Sequence, residues 1–278
     1  MANPITGGTH NRQERYGAMI VPLMRKEFVV RSRFKRDYEG NPVAGAVQIP
    51  TRNTEVVVAD YNIATGVALT QGATTYVPVL ITKNKAVNEI IDGYEAEAVP
   101  DDLKAQRLES AGYSLGQVLE MNAINELQTN GTASNEAVLG YEAIKNDIIL
   151  QKSKGIKTNE LVVFVNADTE SALLEDEKFA NSAGALGAEL LRSGVIGKIA
   201  GVEVAPCYNM TAKYIVLGTP WAQAIDEWKV DPTINNLTNT FIGASAVQGR
   251  MVYEDKLTSA TACIVNTIAV VPEDGEEV

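Results

Sequence analysis

A chain of 278 residues suits one large or two small domains and is long enough for a real core. Hydrophobic residues make up 45% and charged residues 21%, which excludes general disorder, and a net charge of −11 excludes a surface held to nucleic acid throughout by phosphate contacts. No segment has the apolar core of a signal peptide or the length of a membrane span, and two cysteines do not make a disulfide framework, so a reducing cytoplasm and no membrane partner are expected.

Residues 1–45 are polar, basic and broken by proline and glycine. Arg12, Arg15, Arg25, Lys26, Arg31, Arg33, Lys35 and Arg36 crowd this region. It reads as an extended arm with a short helix near 14–36, because it lacks the apolar surface to offset its own ordering entropy. Residues 46–93 hold the β-branched runs VQIPTRNTEVVVADY, TTYVPVLITK and AVNEIIDG with no helix among them. A long hairpin without an adjacent layer is marginal alone, so Val56, Val58, Val77, Val79 and Ile81 are expected to find cover elsewhere, on the body or on a neighbouring chain.

Asp101 and Asp102 follow Pro100 and suit a helix start. Leu108, Ala111, Leu115, Val118, Leu119 and Leu127 recur at helical spacing, and Gly131 suits a stop. The helix 101–130 would span about 45 Å and serve as a support for sheets. Beyond it, YEAIKNDIILQKSKG reads as a helix, NELVVFVNA as a buried strand, and DTESALLEDEKFA as a helix started by Asp168 or Thr169. GVEVAPCYN, KYIVLGT, FIGASAVQGRMVYED and TACIVNTIAVV read as strands, the last two able to pair as a long hairpin. The acidic tail, 273–278, has no apolar pattern and reads as disordered.

Catalytic chemistry does not emerge. The one histidine, His10, lies in the arm, and Cys207 and Cys263 read as small buried hydrophobes beside strands, with Cys207 partly exposed at a strand end. The contiguous carboxylates 175–177 point around a helix rather than converging. SGVIGKIAGVEVAPCYNM (193–210) has neither a Gly-x-x-x-x-Gly-Lys-Ser/Thr nor a Gly-x-Gly-x-x-Gly spacing. It reads as a tight turn at Gly201 leading into a strand. No metal, cofactor or enzymatic activity is expected.

The order of these parts resembles the major capsid protein of tailed bacteriophages, the Hong Kong 97-like α+β fold, which encapsulins share. The resemblance covers nearly the whole chain, and its most specific stretches are GVIGKIAGVEVAPCYNM and VVFVNADTESALLEDEKF. It implies an N-arm at 1–45 and an extended hairpin, the E-loop, at 46–93. It implies a peripheral domain from 94–139 and 241–272 with a spine helix at 101–130, and an axial domain at 140–240. The function it implies is self-assembly into pentamers and hexamers of an icosahedral phage shell that encloses double-stranded DNA, in the virion and, during assembly, in the host cytoplasm. Implied partners are copies of the chain, a scaffolding protein, a portal and packaged DNA bound without sequence preference. The short arm implies either a scaffold made as a separate chain or a prior cleavage, with the start at Met1 favouring the former. Candidate inter-subunit contacts are Arg12, Arg15, Arg25, Arg31 and Arg33 of the arm with Asp101, Asp102, Glu109 and Glu120 of the helix, and the five apolar hairpin residues. An encapsulin-type compartment shell and a cytosolic α/β enzyme remain the alternatives.

Overall fold

The computed structural model describes residues 25–37, 45–52, 55–72, 74–93, 103–176, 197–237 and 242–267. His10, the carboxylates Glu177 and Glu189, Asp101, Asp102 and the acidic tail lie outside them. Two helix-covered sheets and a β-ribbon make up the described fold.

The first sheet has three antiparallel strands, β3 (Lys83–Ile91), β10 (Ser245–Leu257) and β9 (Ala222–Asn236), with β10 in the centre. Helix α1 (Leu103–Asn130) lies on one face of it. Leu, Lys, Ala, Gln, Arg and Glu dominate this helix, all strong helix formers. Its Ala111 meets Ile91 and Val247, and its Leu115 and Leu119 meet Met251 and Tyr253. The helix ends at Asn130, and Gly131 follows it as expected, where there is no room for a side chain. A Cβ there would stand 2.6 Å from Val265 Cγ2 and 3.0 Å from Cys263 Sγ.

The second sheet has the order β4-β11-β8-β5-β7-β6, from β4 (Thr132–Ala133), β11 (Cys263–Asn266), β8 (Tyr214–Gly218), β5 (Leu161–Val165), β7 (Val202–Pro206) and β6 (Gly197–Ile199). Both faces are buried, so β5 is a continuous apolar run whose alternate residues serve different cores. Val163 and Val165 face helices α2 (Tyr141–Ser153) and α3 (Ala167–Glu175), through Ile144, Ile148 and Leu173. Val162 and Phe164 face Ala123, Ile124 and Leu127 of α1 and Val30 and Phe34 of the arm.

Several expectations change. β10 and β11 do not pair. The 3-10 turn Ala260–Ala262 sends them to different sheets. The strand 222–236 gave no clear signal, because Pro232 and its charged neighbours break the apolar pattern. It tolerates Pro232 as an edge strand, with a bulge opposite at Gly249, whose hypothetical Cβ would touch Pro232 Cα at 3.2 Å. β9 therefore shares its sheet with β10, across the expected division at 240. Helix α3 is capped slightly earlier than expected, by Asn166 rather than Asp168 or Thr169, and the Asn166 Oδ1 accepts from the Thr169 N–H at 2.9 Å. The AVNEIIDG run, expected within the extended hairpin, is β3 of the first sheet. The arm holds a three-residue 3-10 turn, Arg31–Arg33, where a longer helix was expected; residues 14–24 lie outside the description.

Candidate functional site

The tight turn expected at Gly201 is a two-residue hairpin. Ile199 pairs with Val202 across Ala200 (φ 49°) and Gly201 (φ 84°), the two left-handed positions such a turn demands. Its hairpin completes a sheet edge. Among the described residues no three or more His, Cys, Asp or Glu side chains could together hold a metal ion, and no helix is long and apolar enough to cross a membrane. Cys207 and Cys263 are free thiols in one core. Burial pushes both thiols up, away from the reactive thiolate, and Cys207 is fully covered rather than partly exposed.

Arm residues 25–37 form a strap along α1. Arg25 pairs with Glu109, and its guanidinium lies 5.1 Å from the Tyr113 ring centre. Phe28 stacks on Tyr113 with ring centres 5.0 Å apart. The close approach requires Gly116, where a Cβ would come 2.8 Å from Phe28 Cε2. One turn on, Glu120 is 1% exposed. Its carboxylate accepts three backbone N–H bonds, from Val29 at 2.9 Å, Val30 at 2.8 Å and Arg31 at 2.9 Å, and so holds the start of the 3-10 turn.

Arg31 then enters the core between the sheet and the helix. Its Nε donates to Asp255 Oδ1 at 3.0 Å and its Nη2 to Asp226 Oδ1 at 2.8 Å. Asn122 Nδ2 donates to the second Asp255 oxygen at 2.6 Å, and Lys83 Nζ donates to both Asn122 Oδ1 and Glu254 Oε1 at 2.6 Å. Burial opposes the Arg31 charge, but Asp255 and Asp226 outweigh it and raise its pKa. Burial likewise pushes the Asp255 carboxyl up, and Arg31 and Asn122 offset this only in part. Arg33 pairs with Glu203 of β7 at 2.5 Å. Lys35 bridges to β9, its N–H donating to Ala222 O at 2.9 Å and its carbonyl accepting from Ala224 N at 2.8 Å. The strap thus ties α1 to both sheets.

Of the candidate contacts, Arg25, Arg31, Arg33, Glu109 and Glu120 are therefore engaged inside this one chain. Arg12, Arg15, Asp101 and Asp102 lie outside the described residues. The sequence reading missed Asp226, Asp255, Asn122 and Tyr113 as their partners. Asp255 did carry a signal, since it follows Met251 and Tyr253 at strand spacing, on the buried phase of β10.

The ribbon of β1 (Ala46–Arg52) and β2 (Thr74–Leu80) has two different halves. At its root Val79 is 1% exposed and packs with Ile49 on Ile225 of β9, with Ile81 beside them. Of the two sources of cover expected, the body supplies it for Val79. Val77 is half-buried. Beyond the ribbon, residues 55–72 hold exposed Val56, Val57, Tyr61 and Leu69, with Val58 and Ile63 each 94% exposed.

No family model matches the sequence, and no curated protein matches it. Solved structures match the fold. A chain from Mycobacterium phage Che8 aligns with a TM-score of 0.75 at 20% identity, over 94% of this chain and 98% of that one. The capsid structure of the cyanophage P-SCSP1u gives 0.72 at 11% identity, over 92% of each chain. The capsid of the native GTA particle gives 0.69 at 9% identity, over 93% of this chain and 95% of that one. The chain has the α+β fold of phage capsid structures.

Proposed function

We propose that this chain is a major capsid protein of a tailed phage. In this reading it assembles into pentamers and hexamers of an icosahedral shell that encloses double-stranded DNA. The observation that carries the reading is the segment 55–72, which leaves Val56, Val58, Tyr61, Ile63 and Leu69 in solvent within a fold matched over nine-tenths of its length by capsid structures. Contiguous apolar exposure of this kind marks a surface that a partner covers. Here the partner is a second copy of the chain.

By region, 46–80 with its tip serves as the E-loop and α1 as the spine helix. The β3-β10-β9 sheet belongs to the peripheral domain and the six-stranded sheet to the axial domain. The dividing point then falls near Trp221, because β9 belongs with β10. Val56 and Val58 are inter-subunit contacts, and Arg12, Arg15, Asp101 and Asp102 are further candidates. Scaffolding protein, portal and packaged DNA complete the partners, in the virion and, during assembly, in the host cytoplasm. The chain has no enzymatic role.

Sedimentation tests this reading. A shell protein runs as megadalton particles or as capsomers that convert to them, and the particles contain DNA. A monomer or small oligomer at all concentrations contradicts it. Particles filled with a protein cargo instead of DNA assign the chain to a bacterial compartment.

A further inference from the structure

A cleft of about 550 Å³ opens where the strap crosses the edge of the six-stranded sheet, lined among others by Ser32, Arg33, Lys35, Asn159, Lys198 and Glu203. Arg33 and Glu203 neutralise each other. Lys35 and Lys198 are exposed, and neither ammonium has a partner among the described residues. The cleft is therefore a local excess of positive charge on a chain of net charge −11.

The complementary element is the segment Glu55-Val56-Val57-Val58-Ala59-Asp60. Glu55 and Asp60 are exposed and unpaired among the described residues, and they bracket three exposed valines. Glu55 to Asp60 spans about 16 Å of backbone when extended at about 3.3 Å per residue. This segment lies beyond the end of the ribbon where Arg52 pairs with Thr74, away from the root packed on Ile225. Among the described residues nothing covers its valines.

We propose that the Lys35–Lys198 cleft is the dock for residues 55–60 of a second copy, with Glu55 and Asp60 meeting the two lysines and the valines closing over the rim. The inference rests on the shell reading and adds the receiving site. Opposite charges at such a contact set register and partner choice, and like charges placed together there disfavour it. The cleft also sits on the strap, so docking would sense whether residues 25–37 are seated.

Charge exchange tests the pairing in shells recovered from producing cells. Lys35→Glu with Lys198→Glu, and separately Glu55→Lys with Asp60→Lys, each lower shell yield about tenfold or more, while the fourfold variant restores it. All four side chains are exposed, so the isolated subunits keep their thermal midpoint. Independently, Lys198→Cys with Asp60→Cys gives disulfide-linked oligomers in assembled shells under oxidation. Wild-type yield from either pair overturns the proposal, as do failure of the fourfold variant to assemble and a disulfide confined to one subunit. Rescue of the lysine reversals by changing Glu273, Asp274, Glu276 and Glu277 instead would make the tail the occupant and overturn it too. If the unaltered chain forms no shells, the shell reading fails, an outcome distinct from all of these.

Discussion

Glu120 and Arg31 hold the strap by opposite means. Glu120 gives one buried carboxylate to three backbone donors, with its charge matched to N–H groups at the start of a turn. Glu120→Gln keeps the shape but places an amide against those donors. It is expected to destabilise the subunit by about 1–3 kcal/mol in chemical denaturation, and an unchanged midpoint would contradict the role. Arg31 is a buried cation between two aspartates, and Arg31→Met leaves both carboxylates without it, at a cost of about 3–5 kcal/mol. The sign of the pH dependence follows from Asp255. Its folded pKa is already raised by burial, and loss of Arg31 raises it further. A carboxyl with a raised folded pKa favours folding in its protonated form, and that contribution fades as pH rises. The Arg31→Met penalty is therefore smaller at pH ~5 than at pH ~7 in paired denaturation curves, and a penalty that grows on acidification contradicts the assignment.

At the scale of elements, the strap and α1 fit through a glycine. Gly116 in mid-helix is about 1 kcal/mol worse than alanine, yet its Cβ would meet the Phe28 ring at 2.8 Å. Gly116→Ala is expected to destabilise the parent chain, and to stabilise a Phe28→Ala chain by about 1 kcal/mol. Additive effects in the four-member cycle would separate the glycine from the strap. Helix α1 was legible because its apolar residues recur at helical spacing from Leu108 to Leu127, and β5 because an unbroken apolar run between turn signals is a strand buried on both faces. β9 was not legible, since its far half is exposed and carries Pro232. The strap partners were legible only in part. Charge alone joined arm arginines to helix carboxylates, and only the Arg25–Glu109 pair follows that pattern, within one chain; Glu120 meets the backbone of Arg31 rather than its guanidinium, and Asp226 lies on a strand that the periodicity did not reveal. Sheet assignment of β10 and β11 depended on long-range pairing, which local pattern does not encode.

For the whole molecule, the ribbon divides into a root that belongs to the subunit and a tip that does not. Hydrogen exchange on isolated subunits should show protection at Ile49 and Val79 and little at 55–72, with the tip becoming protected only in assembled particles. Equal protection of the tip in both states would mean it folds onto its own body. In the proposed shell, the acidic charge of the chain suits a container, because a strongly basic wall would hold packaged DNA through counterion release. Its two thiols, both buried with raised pKa, are placed as core packing rather than as links between subunits. Electron microscopy of particles purified from cells producing the chain tests the central claim most directly. The account predicts closed icosahedral shells with five- and six-fold capsomers, the 55–72 tip of each subunit lying on its neighbour. Discrete monomers or small oligomers, with no closed shell at any concentration, would contradict it.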